Sequence, residues 1–116
     1  MDTVTIGVVG LGLIGGSLCK ALGANGHRIL GWDTDEHVRK YAALTGVIRE
    51  ELTDERVPEC DYLFLAVCPG AAVETLRRLA PLIRKETVVC DICGVKRTVC
   101  EPCFGIAEEY GFTYIG

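Results

Sequence analysis

A chain of 116 residues has room for one domain with a real core and too little for two substantial ones. With 49% apolar and 24% charged residues, 14 glycines and only 4 prolines, it lacks the polar bias of a disordered segment. A net charge of -4 argues against nucleic-acid binding, and the short pairs Arg77-Arg78 and Arg84-Lys85 fall along one amphipathic stretch rather than forming a phosphate-tracking cluster.

The chain starts with Met1-Asp2-Thr3, an acid where a signal peptide needs cations, and the apolar run behind it is broken by glycines before it could span a bilayer. A cytoplasmic protein is expected. Val4 to Val9 is a β-branched apolar run without polar alternation, the pattern of a strand buried on both faces of a parallel sheet. Leu13 to Ala24 then places Ile14, Leu18 and Leu22 at helical spacing, and Gly23, Asn25 and Gly26 end that helix. Arg28 to Trp32 reads as a second strand, closed by Asp33. Asp35 and Glu36 put acids at the start of a second helix that runs to about Leu44.

Gly46-Val47-Ile48 reads as a very short third strand, followed by a polar stretch in which Thr53-Asp54-Glu55 marks a helix start. Tyr62 to Val67 is the most continuous apolar run and predicts a central strand, ending in Cys68-Pro69-Gly70. From Ala71 to Leu82, the spacing of Val73, Leu76, Leu79 and Leu82 gives a helix one apolar face. Thr87 to Asp91 is the next strand, Lys96 to Tyr110 a helix interrupted at Pro102, and Phe112 to Ile115 a last strand. Strands and helices alternating over such short connections imply an α/β fold, doubly wound, with a mainly parallel sheet and helices on both faces. One domain, 1–116, is expected.

Gly10-x-Gly12-x-x-Gly15 falls between the first strand and the helix it opens, where a dinucleotide site needs it. Gly10 would make the tight turn, Gly12 would leave room for a pyrophosphate, and Gly15 would let the helix pack on the sheet. Leu13 and Ile14 then belong to the first helical turn, whose free N–H groups at the positive end of the dipole receive the anion. Asp33, 18 positions after Gly15, stands where an acid accepts the ribose hydroxyls, with Thr34 beside it. Asp33, Asp35 and Glu36 would repel a 2′-phosphate, and the nearest base, Arg39, is a full turn into the helix, so NAD is expected over NADP. The bland alternative for Asp33 is a plain helix cap.

In a parallel sheet all carboxyl ends lie together, so Val67, Cys68 and Pro69, and the stretch Asp91 to Lys96, are candidates for the nicotinamide half. Pro69 also fits a mere chain terminator and Lys96 a solvated helix start. Seven cysteines, several inside apolar runs, suit reduced thiols better than a disulfide framework. Cys90-x-x-Cys93 and Cys100-x-x-Cys103 form two pairs, but the six residues between them are fewer than zinc modules use, and Cys90 should point into the core. No metal is expected. Cys93 remains a candidate reactive thiol near the cofactor, while His27 and His37 read as solvated.

Gly10-Leu11-Gly12-Leu13-Ile14-Gly15-Gly16-Ser17-Leu18, with Gly31-Trp32-Asp33, Leu65-Ala66-Val67 and Asp91-Ile92-Cys93-Gly94-Val95-Lys96, resembles the amino-terminal domain of the prephenate/arogenate dehydrogenases over essentially the whole chain. The resemblance implies a Rossmann-type fold and a homodimeric full-length enzyme. It also implies oxidation of prephenate or arogenate, hydride passing to NAD(P) while the ring loses carbon dioxide and becomes aromatic, on the route to tyrosine. Two departures stand out. Gly94 replaces a Ser thought to contact the substrate hydroxyl, so that role does not transfer. The family's catalytic His follows the strand matching Phe112 to Gly116, so no catalytic residue is expected within this chain, which should bind NAD without turning over prephenate. The alternatives are a nucleotide-sensing regulatory domain and another hydroxyacid or imine dehydrogenase of similar fold. A metal-binding structural module built on the cysteines is a third.

Overall fold

The computed structural model describes residues 3–92 and 97–116, apart from the side chains of 69 and 97–100. β1 (Thr5–Val9), β2 (Arg28–Trp32), β3 (Glu50–Glu51), β4 (Tyr62–Leu65), β5 (Val88–Asp91) and β6 (Thr113–Ile115) form one sheet in the order β3-β2-β1-β4-β5-β6. Each neighbouring pair is parallel, with Val9 beside Trp32 on one flank and beside Leu65 on the other. After β3 the chain crosses over to the far side of β1. The gap between the ends of β1 and β4 is therefore the switch point at which such sheets bind ligands.

Among the described residues four α-helices cover the sheet: α1 (Leu13–Gly23), α2 (Glu36–Leu44), α3 (Pro69–Leu79) and α4 (Arg97–Tyr110). Side chains alternate along each strand. Ile6, Val8 and Ile29 pack with Cys19 of α1 and Ala42 of α2, while Val9, Leu30, Leu63, Leu65 and Val89 pack with Leu76 and Leu79 of α3 and Ile106 of α4. Leu63 and Leu65 are fully buried, each worth about 2 kcal/mol of transfer free energy. Polar Asp33, Gly10 and the glycine turn are carried on the carboxyl ends of this apolar frame.

Four expectations need correction. The third strand is Glu50–Glu51 and not 46–48, because the N–H groups of Val47 and Ile48 both turn back to the Ala42 carbonyl, at 2.9 and 3.2 Å, closing the end of α2. Ladder pairing begins only when the Arg49 N–H reaches the Ile29 carbonyl at 2.8 Å. Two acidic residues make a strand here because Arg28, Arg39 and Arg56 neutralise them. The third helix starts at Pro69, whose missing N–H costs nothing at a first position, and ends at Leu79; Ala80–Leu82 tightens into a 3₁₀ turn at Pro81.

The last helix runs unbroken through Pro102, which deprives only the Thr98 carbonyl of its usual donor. Cys90 is half-buried rather than in the core. It alternates with the buried Val89 and Asp91 and lies on the sheet face of its register partner Phe64, away from α3 and α4. Burial nevertheless raises its thiol pKa. The polar stretch after β3 does form a short helix, a 3₁₀ turn over Asp54–Glu59.

Candidate functional site: a dinucleotide cleft at the strand ends

β1 stops at Val9 because Gly10 takes a φ of +99°, a region an L side chain avoids. Its N–H donates to the Trp32 carbonyl at 2.7 Å, and a Cβ there would overlap the Ala66 carbonyl of the neighbouring strand end. A Cβ at Gly15 would overlap the Gly10 carbonyl, so the helix can approach the turn only at a glycine. Gly12 differs from both. As the N-cap of α1 it has an ordinary φ of -70°, and a Cβ added to it would meet nothing within 4 Å.

Above Gly12 the first turn of α1 presents N–H groups with no carbonyl four residues back inside the helix, with no acid in that turn and Lys20 in the last one. Leu13 and Ile14 are 89% and 63% exposed, so the apolar side chains leave the N–H edge uncovered. A cradle with no Cβ, open N–H donors and a helix dipole fits a pyrophosphate.

Asp33 is half-buried. Its Oδ2 accepts the Leu11 N–H and its Oδ1 the Asp35 N–H, each at 3.0 Å, tying the end of β2 to the glycine turn. A carboxylate has about four lone-pair sites, so two remain for hydroxyls of a ribose. The helix cap is a different acid: Asp35 is the N-cap of α2 and accepts the His37 N–H at 2.9 Å. Plain capping therefore does not account for Asp33.

Arg39 is also placed differently from the expectation. Its guanidinium folds back from α2, lies 4.1 Å over the Trp32 ring, and donates from Nη1 to the Asp33 carbonyl at 2.7 Å and from Nε to Glu51 at 2.8 Å.

Gly10, Asp33, Thr34 and Val67 line one cavity of about 290 Å³, closed by Val9, Trp32, Leu52, Val57, Ala71, Thr75, Arg78 and Leu79. Of the remaining predicted residues, Gly12 and Leu13 line a separate groove toward α2, Gly15 is buried under the turn, and Cys68 is exposed as the N-cap of α3, whose first residue is Pro69. Sequence reasoning missed the far wall. Thr75 stands four residues after Ala71, one helical turn along the same face of α3, which is a usable signal; Leu52 and Val57 gave none. Arg78 reaches across to Asp54, with Nη1 3.1 Å from Oδ1.

At the other strand end, Asp91 is buried and accepts the Tyr114 hydroxyl at 2.9 Å, joining β5 to β6. The rest of the Asp91-to-Lys96 stretch, including Cys93, Gly94 and Lys96, lies outside the described residues from 93 onward. Cys103 is packed between α3 and α4, on the opposite side of the sheet from Cys90, while Cys93 and the side chain of Cys100 lie outside the described residues. Among the described residues no three His, Cys, Asp or Glu are grouped to hold a metal ion. Among them, too, no helix is long and apolar enough to cross a membrane.

Known structures share this architecture. The chain is similar to Mycobacterium tuberculosis 3-hydroxyisobutyrate dehydrogenase, with a TM-score of 0.87 at 22% identity over 97% of this chain and 39% of that one. It is similar to Synechocystis arogenate dehydrogenase, with 0.80 at 30% identity over 88% and 37%. For A. aeolicus prephenate dehydrogenase, described in complex with hydroxyphenyl propionate and NAD+, the values are 0.72, 23%, 98% and 41%. The chain thus spans about two fifths of the length of these structures. No curated protein sequence matches it. The model of the family described as "Prephenate dehydrogenase, nucleotide-binding domain" matches residues 18–113, starting beyond the glycine turn, so the turn's geometry and the family match are independent observations. The chain belongs to the family of prephenate dehydrogenase nucleotide-binding domains.

Proposed function

We propose that the cleft binds NAD, the pyrophosphate on the N–H groups of residues 13–15 above Gly12, the adenosine ribose on Asp33 beside Thr34, and the adenine in the cavity between Trp32, Val67 and α3. The nicotinamide half then lies toward Val67, Cys68 and Pro69 and the end of β5. The single observation that carries this reading is Gly12. It has no φ and no packing neighbour that demands a glycine, yet it sits beside unbonded helix donors and a carboxylate with spare lone pairs.

NAD, when bound, supplies the hydride acceptor. The chain's own residues hold and orient it, and the helix end neutralises its phosphates. In the whole protein, this holding serves oxidative decarboxylation of prephenate or arogenate, as family membership and the arogenate dehydrogenase likeness suggest. The base for the substrate hydroxyl is assigned, by the resemblance, to a His beyond Gly116, and a cytoplasmic homodimer goes with the same reading. Calorimetric titration of this chain should show binding of NAD in preference to NADP, and a preference for NADP would sink the role given to Asp33. Incubation with prephenate and NAD should give no reduction of NAD above background; turnover would mean that the base is within these 116 residues.

A further inference from the structure

Arg39 brings a cation under the very acid proposed to take the ribose. Its side chain is only 14% exposed and its guanidinium touches the Asp33 carbonyl, so a bare charge at this place would attract a phosphate on the 2′-hydroxyl. Glu51 opposes that. From the edge strand β3 its Oε1 takes the Nε of Arg39 at 2.8 Å, on a guanidinium already stacked on Trp32. The other charged side chains nearby have partners of their own: Lys40 pairs with Glu36 on the exposed side of α2, from where Glu36 also feels Arg39, Arg56 and Arg28 pair with Glu50, Asp35 caps α2, and the Asp33 carboxylate holds the Leu11 and Asp35 N–H groups.

We propose that Glu51 is a specificity-determining residue, holding Arg39 as a neutral pair beneath Asp33 so that the ribose edge stays anionic and a free 2′-hydroxyl is selected over a 2′-phosphate. The proposal rests on the dinucleotide reading of the cleft. A hydroxyl carries no charge and a 2′-phosphate carries close to two, so removing one negative charge beneath the site acts almost wholly on NADP.

Glu51→Gln keeps the shape and an acceptor for Nε while removing the charge. In calorimetric titrations at low salt, NAD affinity should stay within about twofold of the parent and NADP affinity should rise roughly fivefold, a gain that shrinks with added salt. Adding Arg39→Gln to Glu51→Gln should return the NAD-to-NADP ratio toward the parent value. Arg39→Gln alone should move the ratio the other way by a similar factor, which keeps a test available if Glu51→Gln unfolds. An unchanged ratio in both single variants, with the parent chain still binding NAD, would overturn the role of Glu51 and leave the dinucleotide reading standing. A parent chain that binds neither nucleotide would overturn both.

Discussion

Gly10 and Gly15 form the underside of the turn after β1, where an added Cβ would overlap the carbonyl of Ala66 or of Gly10 itself; Gly12, on the rim of the same turn, would carry a Cβ into open space. The underside is glycine because the fold closes on it, whereas on the rim neither a packing neighbour nor φ requires one. On the dinucleotide reading proposed above, one turn separates a folding requirement from a ligand requirement, and substitutions at its two levels should fail in different ways.

The largest effect should come from below. Gly15→Ala forces a methyl into a backbone carbonyl that cannot move without parting α1 from β1, and should cost about 3 kcal/mol or more, read as a drop in thermal midpoint of 10 °C or beyond. A variant as stable as the parent would show that the close approach is not real. On the rim, Gly12→Ala should leave the midpoint nearly unchanged or slightly raised, since its φ of -70° suits alanine. It should weaken NAD binding roughly tenfold or more by keeping the pyrophosphate off the helix end. Loss of stability together with unchanged affinity would invert the comparison.

Asp33 belongs to both levels, because it bonds the Leu11 N–H of the turn and offers its remaining lone pairs outward. Asp33→Asn should therefore cost about 1 kcal/mol of stability and weaken NAD roughly tenfold while relaxing discrimination against NADP. A change in stability alone would assign this acid to the underside.

The smallest effect concerns how dry the cores on the two faces of the sheet are. Burial pushes the thiols of Cys19, on α1, and Cys60 up to about 11 and about 12. A thiol that ionises later in the folded chain than in the unfolded one leaves the unfolded chain with fewer protons above pH 8.5, so stability falls as pH rises. The contribution is complete below that pH, should fall by about 1 kcal/mol by pH 9, and is lost through the folded values. Urea midpoints flat from pH 8 to 10.5 in comparison with Cys19→Ala and Cys60→Ala would show that water reaches these sulfurs.

Much of this was legible from residue order. The sequence predicts β2 to the residue and β1, α1 and α2 within one, since each is an apolar run or periodic face bounded by glycine or an acid. β3 was not, because Glu50 and Glu51 become a strand only through arginines brought from Arg28, Arg39 and Arg56, a tertiary match that no local pattern carries. Pro102 misled for the opposite reason, as packing of α4 under β6 and α3 tolerates one missing backbone bond. At the site, the three glycines of the turn, Gly10, Gly12 and Gly15, are readable from spacing. Those that form the far wall, Leu52, Val57, Thr75 and Arg78, depend on where the 3₁₀ turn and α3 come to rest. Arg39 shows the same limit: a full turn from Asp33 along the chain, it reaches the Asp33 carbonyl because a long side chain can lie back along a ring.

The most direct test of the rim as a ligand site is an NMR titration of the isotopically labelled chain with NAD. Amide signals of Gly12, Leu13, Ile14, Asp33, Thr34 and Val67 should shift saturably, while those of Asn25, Gly26 and Gly111, at the opposite ends of the helices, stay in place. Shifts confined to those distal amides, or no saturable shift at the glycine turn, would contradict the account.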